Sequence, residues 1–275
     1  MILSGMPVTD DHIHFDPRNG RGVKAARDFY RSGGTHMFLV TKPSWSLGVH
    51  PVRGEDFLPV FDETLQIAED IREAGPVVFP VLGIHPAEIT KLTERMSLAE
   101  AEELMKGGLD LAAQHVAEGK AVALKSGRPH YEVAPDIWDA SNRVLAHAIC
   151  LAADCGCALQ IHAESGPCDD VLDMAHDAHM AQDRIVKHFA VPETSLVPSF
   201  IARQENLAQI IAGGRECMME SDYMDDNTRP GAVIGPKSVP RFTRRLLESE
   251  QVTSEQMWKV HRDTPSRVYG VSIEQ

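Results

Sequence analysis

The feature that most constrains this chain is a rhythm. Short apolar runs alternate, almost throughout, with longer segments whose apolar residues recur every three or four positions. The runs PVTDDHIHF (7–15), HMFLVTK (36–42), PVVFPVLGIH (76–85), AVALK (121–125), CALQIH (157–162), RIVKHF (184–189) and ECMMESD (216–222) read as strands. SLVPSF (195–200) is a weaker strand, because Pro198 withholds a ladder donor. Residues 22–32, 56–74, 97–118 and 136–154 read as helices, the third through Leu98, Ala101, Leu104, Met105, Leu109, Ala112 and Val116. Asp136 is read as an N-cap, and Gly119 and Gly156 as helix stops. Apolar strands alternating with helices imply a parallel sheet with both faces covered. About eight such units in this length predict an α/β fold, a closed (β/α)8 TIM barrel forming a single domain over 1–275. A doubly wound sheet would instead want a glycine-rich nucleotide loop after the first strand. Here the first strand delivers His12-Ile13-His14.

Composition supports a sizeable core and excludes some partners. Of the 275 residues, 43 % are hydrophobic and 24 % charged, which is ordinary globular material. A formal net charge of -13 repels nucleic-acid phosphates at long range and disfavours non-specific binding to them. No apolar run is long enough for a membrane span, and MILSGMPVTDD lacks the layout of a signal peptide, so a cytoplasmic location with no membrane partner is expected. Five cysteines are an odd number in a long chain, and Cys155-Gly-Cys157 is read as buried thiols rather than a metal-site fragment.

The thirteen histidines carry more information. In a strand, residues i and i+2 share a face, so His12 and His14 aim their imidazoles together. Paired neutral imidazoles suit zinc, iron, manganese or nickel, although the pair alone also fits a solvent-facing strand end. His162 ends CALQIH, His188 follows RIVK, Lys125 ends AVALK, and Asp222 closes ECMMESD with Glu220 two residues earlier. In a barrel all strand C-termini converge on one rim. These six residues are therefore expected in one mouth. Lys125 is the odd member, since lysine is seldom buried. His36, His50, His115, His147, His176, His179 and His261 are read as structural or surface residues, and Lys237, Arg241, Arg244 and Arg245 as a solvated helix face.

The order HxH, then Lys, His, His and Asp, resembles the metal-dependent hydrolases of the amidohydrolase superfamily. GIHP, SGRPHY, IHAES, ESDYMDD and TPSRVYGV look like its TatD-related branch, in particular the archaeal-type uncharacterised members, over nearly the whole chain. TatD-like proteins carry a glutamate where this chain has Lys125; phosphotriesterase-like relatives carry a lysine there that becomes N6-carboxylated. The resemblance implies two divalent metal ions, zinc first, with manganese, iron, nickel or magnesium as alternatives. It implies His12 and His14 on one ion, His162 and His188 on the other, and carboxylated Lys125 between them. A neutral Lys125 amine binding one ion is a lesser option, and a charged one the least favoured. Asp222 is the implied catalytic residue, a ligand that also handles the proton of a bridging water or hydroxide.

His85 is implied as a substrate contact, with a hydrogen-bonded rim histidine equally open. Arg128 and His130 are read as substrate-binding, Arg128 as a fork for phosphate or carboxylate, against the alternative of a salt bridge within the rim. Glu164 is read as orienting a ligand. The expected activity is hydrolysis of a small-molecule phosphoester or related ester, with a TatD-type 3'-5' exodeoxyribonuclease or a lactonase or amidohydrolase as alternatives. A non-catalytic metal-binding barrel is the reading from another class.

Overall fold

The computed structural model describes residue 3, residues 5–229 and residues 233–274. Its strands are β1 (Thr9–His14), β2 (His36–Val40), β3 (Val77–Gly83), β4 (Ala123–Gly127), β5 (Ala158–His162), β6 (Ile185–Lys187), β7 (Val197–Ile201), β8 (Met218–Glu220) and β9 (Tyr223–Met224). The helices between and after them are α1 (Val23–Arg31), α2 (Leu58–Arg72), α3 (Glu88–Leu92), α4 (Leu98–Ala117), α5 (Pro135–Cys155), α6 (Asp170–Asp177), α7 (Leu207–Ala212), α8 (Ser238–Glu248), α9 (Ser254–Trp258) and α10 (Thr264–Tyr269). All strands run parallel, in the order β8-β7-β6-β5-β4-β3-β2-β1-β9. β8 and β9 are two halves of one barrel strand. The first pairs with β7, the second with β1, and between them the Asp222 N–H donates to the His12 carbonyl at 2.9 Å. The fold is a (β/α)8 TIM barrel, as the alternation requires.

Two-residue periodicity sorts the barrel interior into layers. Phe38, Val40, Val81, Ala123, Ala158, Val186 and Met218 form an apolar layer, which Val268 and Tyr269 of α10 close from below. Two residues further along the same inward faces stand Lys125, Gln160, His188 and Glu220, and one step beyond Gln160 is His162. Polar chemistry therefore sits directly on an apolar plug. The outward faces pack against the helices: Leu82, Leu124 and Leu159 against α4 and α5, and Ile13 and Leu39 against α1 and α2.

Several local readings change. The α5 N-cap is Ala134 with Pro135 following, and Asp136 lies inside the first turn, where Pro135 supplies the preset φ that starts the helix. β7 is a full barrel strand despite Pro198. Its ladder to β8 begins only at Ser199, so the missing N–H falls ahead of it. β4 runs past Lys125 to Gly127, pairing Lys125 with Gly83 and Gln160. A Cβ on Gly83 would collide with the Lys125 carbonyl, and one on Gly127 with the His162 carbonyl. Those glycines let three neighbouring strands approach closely beside the site.

Candidate metal centre

β1 brings His12 and His14 to the mouth together, with their Nε2 atoms 3.1 Å apart. Each ring is held from behind. His12 Nδ1 donates to Gln160 Oε1 at 2.7 Å, and His14 Nδ1 donates to the Val40 carbonyl at 2.7 Å. The Gln160 amide cannot turn round, because its Nε2 donates to the Asp11 carbonyl at 2.8 Å and to the Tyr269 hydroxyl at 2.6 Å. Burial pushes His14 down to about 3 and His12 well below the ordinary histidine range, so both rings are neutral. Two neutral rings with Nδ1–H engaged bring unprotonated Nε2 atoms close to each other. Unprotonated nitrogens at this distance repel, and a shared or adjacent cation relieves them.

The other predicted residues close around this pair. Lys125 is buried, with Nζ 3.3 Å from His12 Nε2. Asp222 Oδ1 lies 3.9 Å from His12 Nε2 and 3.7 Å from His14 Nε2. The His188 ring stacks on His12 at 3.9 Å between centroids, and its Nε2 is 2.8 Å from His162 Nδ1. His12, His188 and Asp222 offer three ligand atoms all within 4.8 Å of one another. That grouping cuts across the expected division into a His12–His14 pair and a His162–His188 pair. Burial lowers the pKa of Lys125 to about 7 against the pull of Asp222 and Glu220, and raises Asp222 to about 7 against the pull of Lys125.

Asp222 reaches the cluster through an unusual backbone. Its φ is 45°, the left-handed region that only a few per cent of non-glycine residues adopt. The break between β8 and β9 is made there, and it turns the carboxylate over the histidine nitrogens. Such conformations persist where the surroundings over-determine them. Here the Ser221 N–H donates to Asp10 and the Asp222 N–H to the His12 carbonyl, which pins both sides of the break.

Two further side chains orient the histidines. Gln160 sets the His12 tautomer, and fully buried Glu220 accepts His188 Nδ1–H at 3.1 Å and the Phe189 N–H at 3.0 Å. The sequence carried a signal for both: each is polar inside an apolar run, two residues from a predicted site residue on the same strand face.

A family model for TatD related DNase matches residues 9–270. The chain belongs to the TatD-related DNase family. An uncharacterised protein of Methanocaldococcus jannaschii is 35 % identical over 286 residues, covering 99 % of this chain and 99 % of that one. Among solved structures, YjjV, a TatD homologue from Escherichia coli, matches with TM-score 0.68 at 16 % identity, covering 98 % of this chain and 100 % of its own. A mutant PTE-like lactonase of Deinococcus radiodurans matches with TM-score 0.65 at 16 % identity, over 97 % and 96 %. At these identities the solved structures share the fold.

In this TatD-related chain the residues expected to touch substrate divide. His130 stands at the exposed rim with Nδ1 2.6 Å from His162 Nε2. The His85 ring lies 4.6 Å from that of His162, while its Nδ1 accepts the Ala87 N–H at 3.2 Å. Both border the mouth. Arg128 does not offer an open fork. Its Nε and Nη2 hold Glu164 at 2.8 and 2.5 Å, its Nη1 and Nη2 hold Asp170 at 2.5 and 2.9 Å, and Nη1 also meets Asn142 at 3.0 Å. Buried to 2 % exposure beneath the Trp138 ring, the guanidinium has every donor engaged. The rim salt bridge is the arrangement found, and Glu164 partners Arg128 rather than a histidine. Because Glu164 and Asp170 keep partial contact with water, Arg128→Met should cost about 2 kcal/mol. Arg128→Lys should recover little, lacking the planar fork. Urea unfolding midpoints check both; an unchanged midpoint in either variant contradicts the bracing role.

Among the described residues, no helix is long and apolar enough to cross a membrane. The five cysteines are free thiols, with Cys157, Cys168 and Cys217 buried.

Proposed function

We propose that this protein is a metal-dependent hydrolase that cleaves a phosphoester or related ester at the histidine cluster. The observation that carries the reading is the pair of unprotonated Nε2 atoms on His12 and His14, 3.1 Å apart, each ring fixed by an acceptor behind its Nδ1. A donor set of neutral imidazoles and one carboxylate fits zinc or a similar divalent ion. His12, His14 and Asp222 would hold one ion, His162 and His188 a second, and Lys125 would bridge as its N6-carboxylate. When bound, the ions would bring water ionisation near neutral pH and polarise the scissile oxygen.

The chain's own residues do the rest. Gln160 and Glu220 keep His12 and His188 in the tautomers that leave their inner nitrogens free. Asp222, at the mouth, receives the proton of the attacking water. His130 and His85 border the substrate's approach. The Lys125 amine, once neutral, adds to carbon dioxide through its lone pair and loses a proton, giving a carboxylate on a long stem. Deoxyribonuclease activity is the second reading, favoured by the family to which the chain belongs. A net charge of -13 weighs against a polyanionic substrate.

The deciding measurement is metal content with a substrate panel. Loading at neutral pH should approach two equivalents per chain, and His162→Ala should lower that toward one. A ceiling of one that His162→Ala leaves unchanged would remove the second site. Hydrolysis of phosphoesters, lactones and single-stranded DNA by the loaded protein then separates the substrate classes. No hydrolysis of any of them, with metal fully bound, would favour a non-catalytic barrel.

A further inference from the structure

Most arginines of this acidic chain are engaged. Arg21 meets Asp28, Arg143 meets Glu102, and Arg267 meets Asp183 and Glu216. Arg215 donates to the Pro192 and Thr194 carbonyls, and Arg244 to the Ser32 carbonyl. Arg27 and Arg31 of α1 have no such partner among the described residues, and neither do Arg203, Arg241 and Arg245, but these last three gather in one place. All three are exposed, and they line one cleft of about 260 Å³ together with Ala202, Ile234, Ser238 and Phe242; among the described residues no carboxylate lines it. Among the described residues none of the three has an ion-pair partner, although Glu205 and Glu248 are close in sequence. Three guanidinium groups on one lining give the hollow a positive character that the acidic remainder of the surface lacks.

The cleft has built features beyond its charge. Ser238, Arg241, Phe242 and Arg245 lie on one face of the eleven-residue α8, at i, i+3, i+4 and i+7. The Arg245 guanidinium rests over the buried Phe242 ring, 4.7 Å from its centroid, which limits its freedom before any ligand arrives. The positive end of the α8 dipole is at Ser238, inside the lining. One end of the cleft lies on the side of the barrel that carries the histidine cluster. Ala202 and Arg203 directly follow β7, and the Ala202 N–H donates to the Glu220 carbonyl at 2.8 Å, two residues before Asp222. That end therefore sits at the mouth of the barrel, and Arg245 lies two helical turns further along α8.

We propose that this cleft is a phosphate subsite, receiving a phosphate group of the substrate other than the bond attacked at the histidine cluster. Guanidinium forks pair with the oxygens of a phosphate, and several can share one dianion. Its part in catalysis rests on the hydrolase reading; its binding of phosphate does not.

Inorganic phosphate is the probe, titrated calorimetrically into the full chain as purified and again after chelation of metal. One saturable phosphate should persist after chelation. Arg203→Gln and Arg241→Gln should each weaken it by about ten-fold or more, the loss of a charge-assisted hydrogen bond. Arg27→Gln, at an exposed arginine of α1, should leave it unchanged. Absence of saturable binding after chelation, or equal weakening by Arg27→Gln, overturns the subsite. With the loaded enzyme, Arg241→Gln should raise KM for an ester carrying a remote phosphate while sparing kcat and the unphosphorylated ester. A rise for a short single-stranded oligonucleotide as well assigns the phosphate to a nucleic-acid backbone; a rise for the small ester alone assigns it to a small molecule. Equal rises with and without the remote phosphate overturn the substrate role. Persistent phosphate binding without any hydrolysis would leave the subsite standing and the hydrolase reading in error.

Discussion

Replacing Asp222 by asparagine should lower turnover of any accepted ester by roughly 10²–10⁴-fold, the usual worth of a positioned proton acceptor, while metal content changes little. The substitution is well suited to the site. Asparagine is nearly isosteric with aspartate and tolerates left-handed backbone, so the φ of 45° that turns residue 222 over the histidines is retained. What is lost is the ability to take a proton, because a neutral amide, its nitrogen lone pair delocalised into the carbonyl, is far too weak a base near neutral pH. Elemental analysis and single-turnover rates on the same preparation separate the two roles. Near-native turnover would remove Asp222 from proton handling. Glu220 is a poor replacement, being fully buried and already bound to His188 Nδ1 and the Phe189 N–H. Loss of metal together with activity would instead make Asp222 chiefly a ligand.

The second large effect belongs to Lys125. Lys125→Ala should weaken binding of the second ion by at least the roughly 10–100-fold seen when partners outside the ligand shell are lost. Formate or acetate should restore part of it by occupying the vacated bridge. Lys125→Glu should restore binding outright, since it places a carboxylate on a shorter stem between the same nitrogens. Lys125→Arg should not, because a guanidinium stays positive and cannot ligate a cation. The surroundings favour the neutral amine: the side chain is buried, burial lowers its pKa to about 7, and its Nζ meets His12 Nε2. Removing carbon dioxide during loading should slow metal uptake by the native chain and leave Lys125→Glu unaffected. Equivalent behaviour of Lys125→Arg and the native chain would contradict the bridge and leave a cation that contacts substrate.

Much of this architecture was legible from residue order. The alternation of strand-like and helix-like periods determined a parallel barrel, because strands that are apolar throughout need cover on both faces, and the outer helices supply it on one side and the strands across the barrel on the other. Two-residue periodicity then determined which side chains face inward, and the barrel's geometry gathered His12, His14, Lys125, His162, His188 and Asp222 at one end. Pro198 misled because its consequence depends on where the neighbouring ladder begins, which is a property of β8.

Other features were decided only by tertiary contacts. Whether Arg128 is an open fork or a closed one depends on Glu164, 36 residues away, and Asp170, 42 away, folding back onto it. The His12 tautomer depends on Gln160, 148 positions distant, and on Tyr269 holding that amide in one orientation. The left-handed turn at Asp222 depends on β1 supplying an acceptor at Asp10 and another at His12. Periodicity states which way a side chain points, a local matter of backbone geometry. Which partner it finds there depends on atoms brought close by the fold, and at this site those partners set the chemistry.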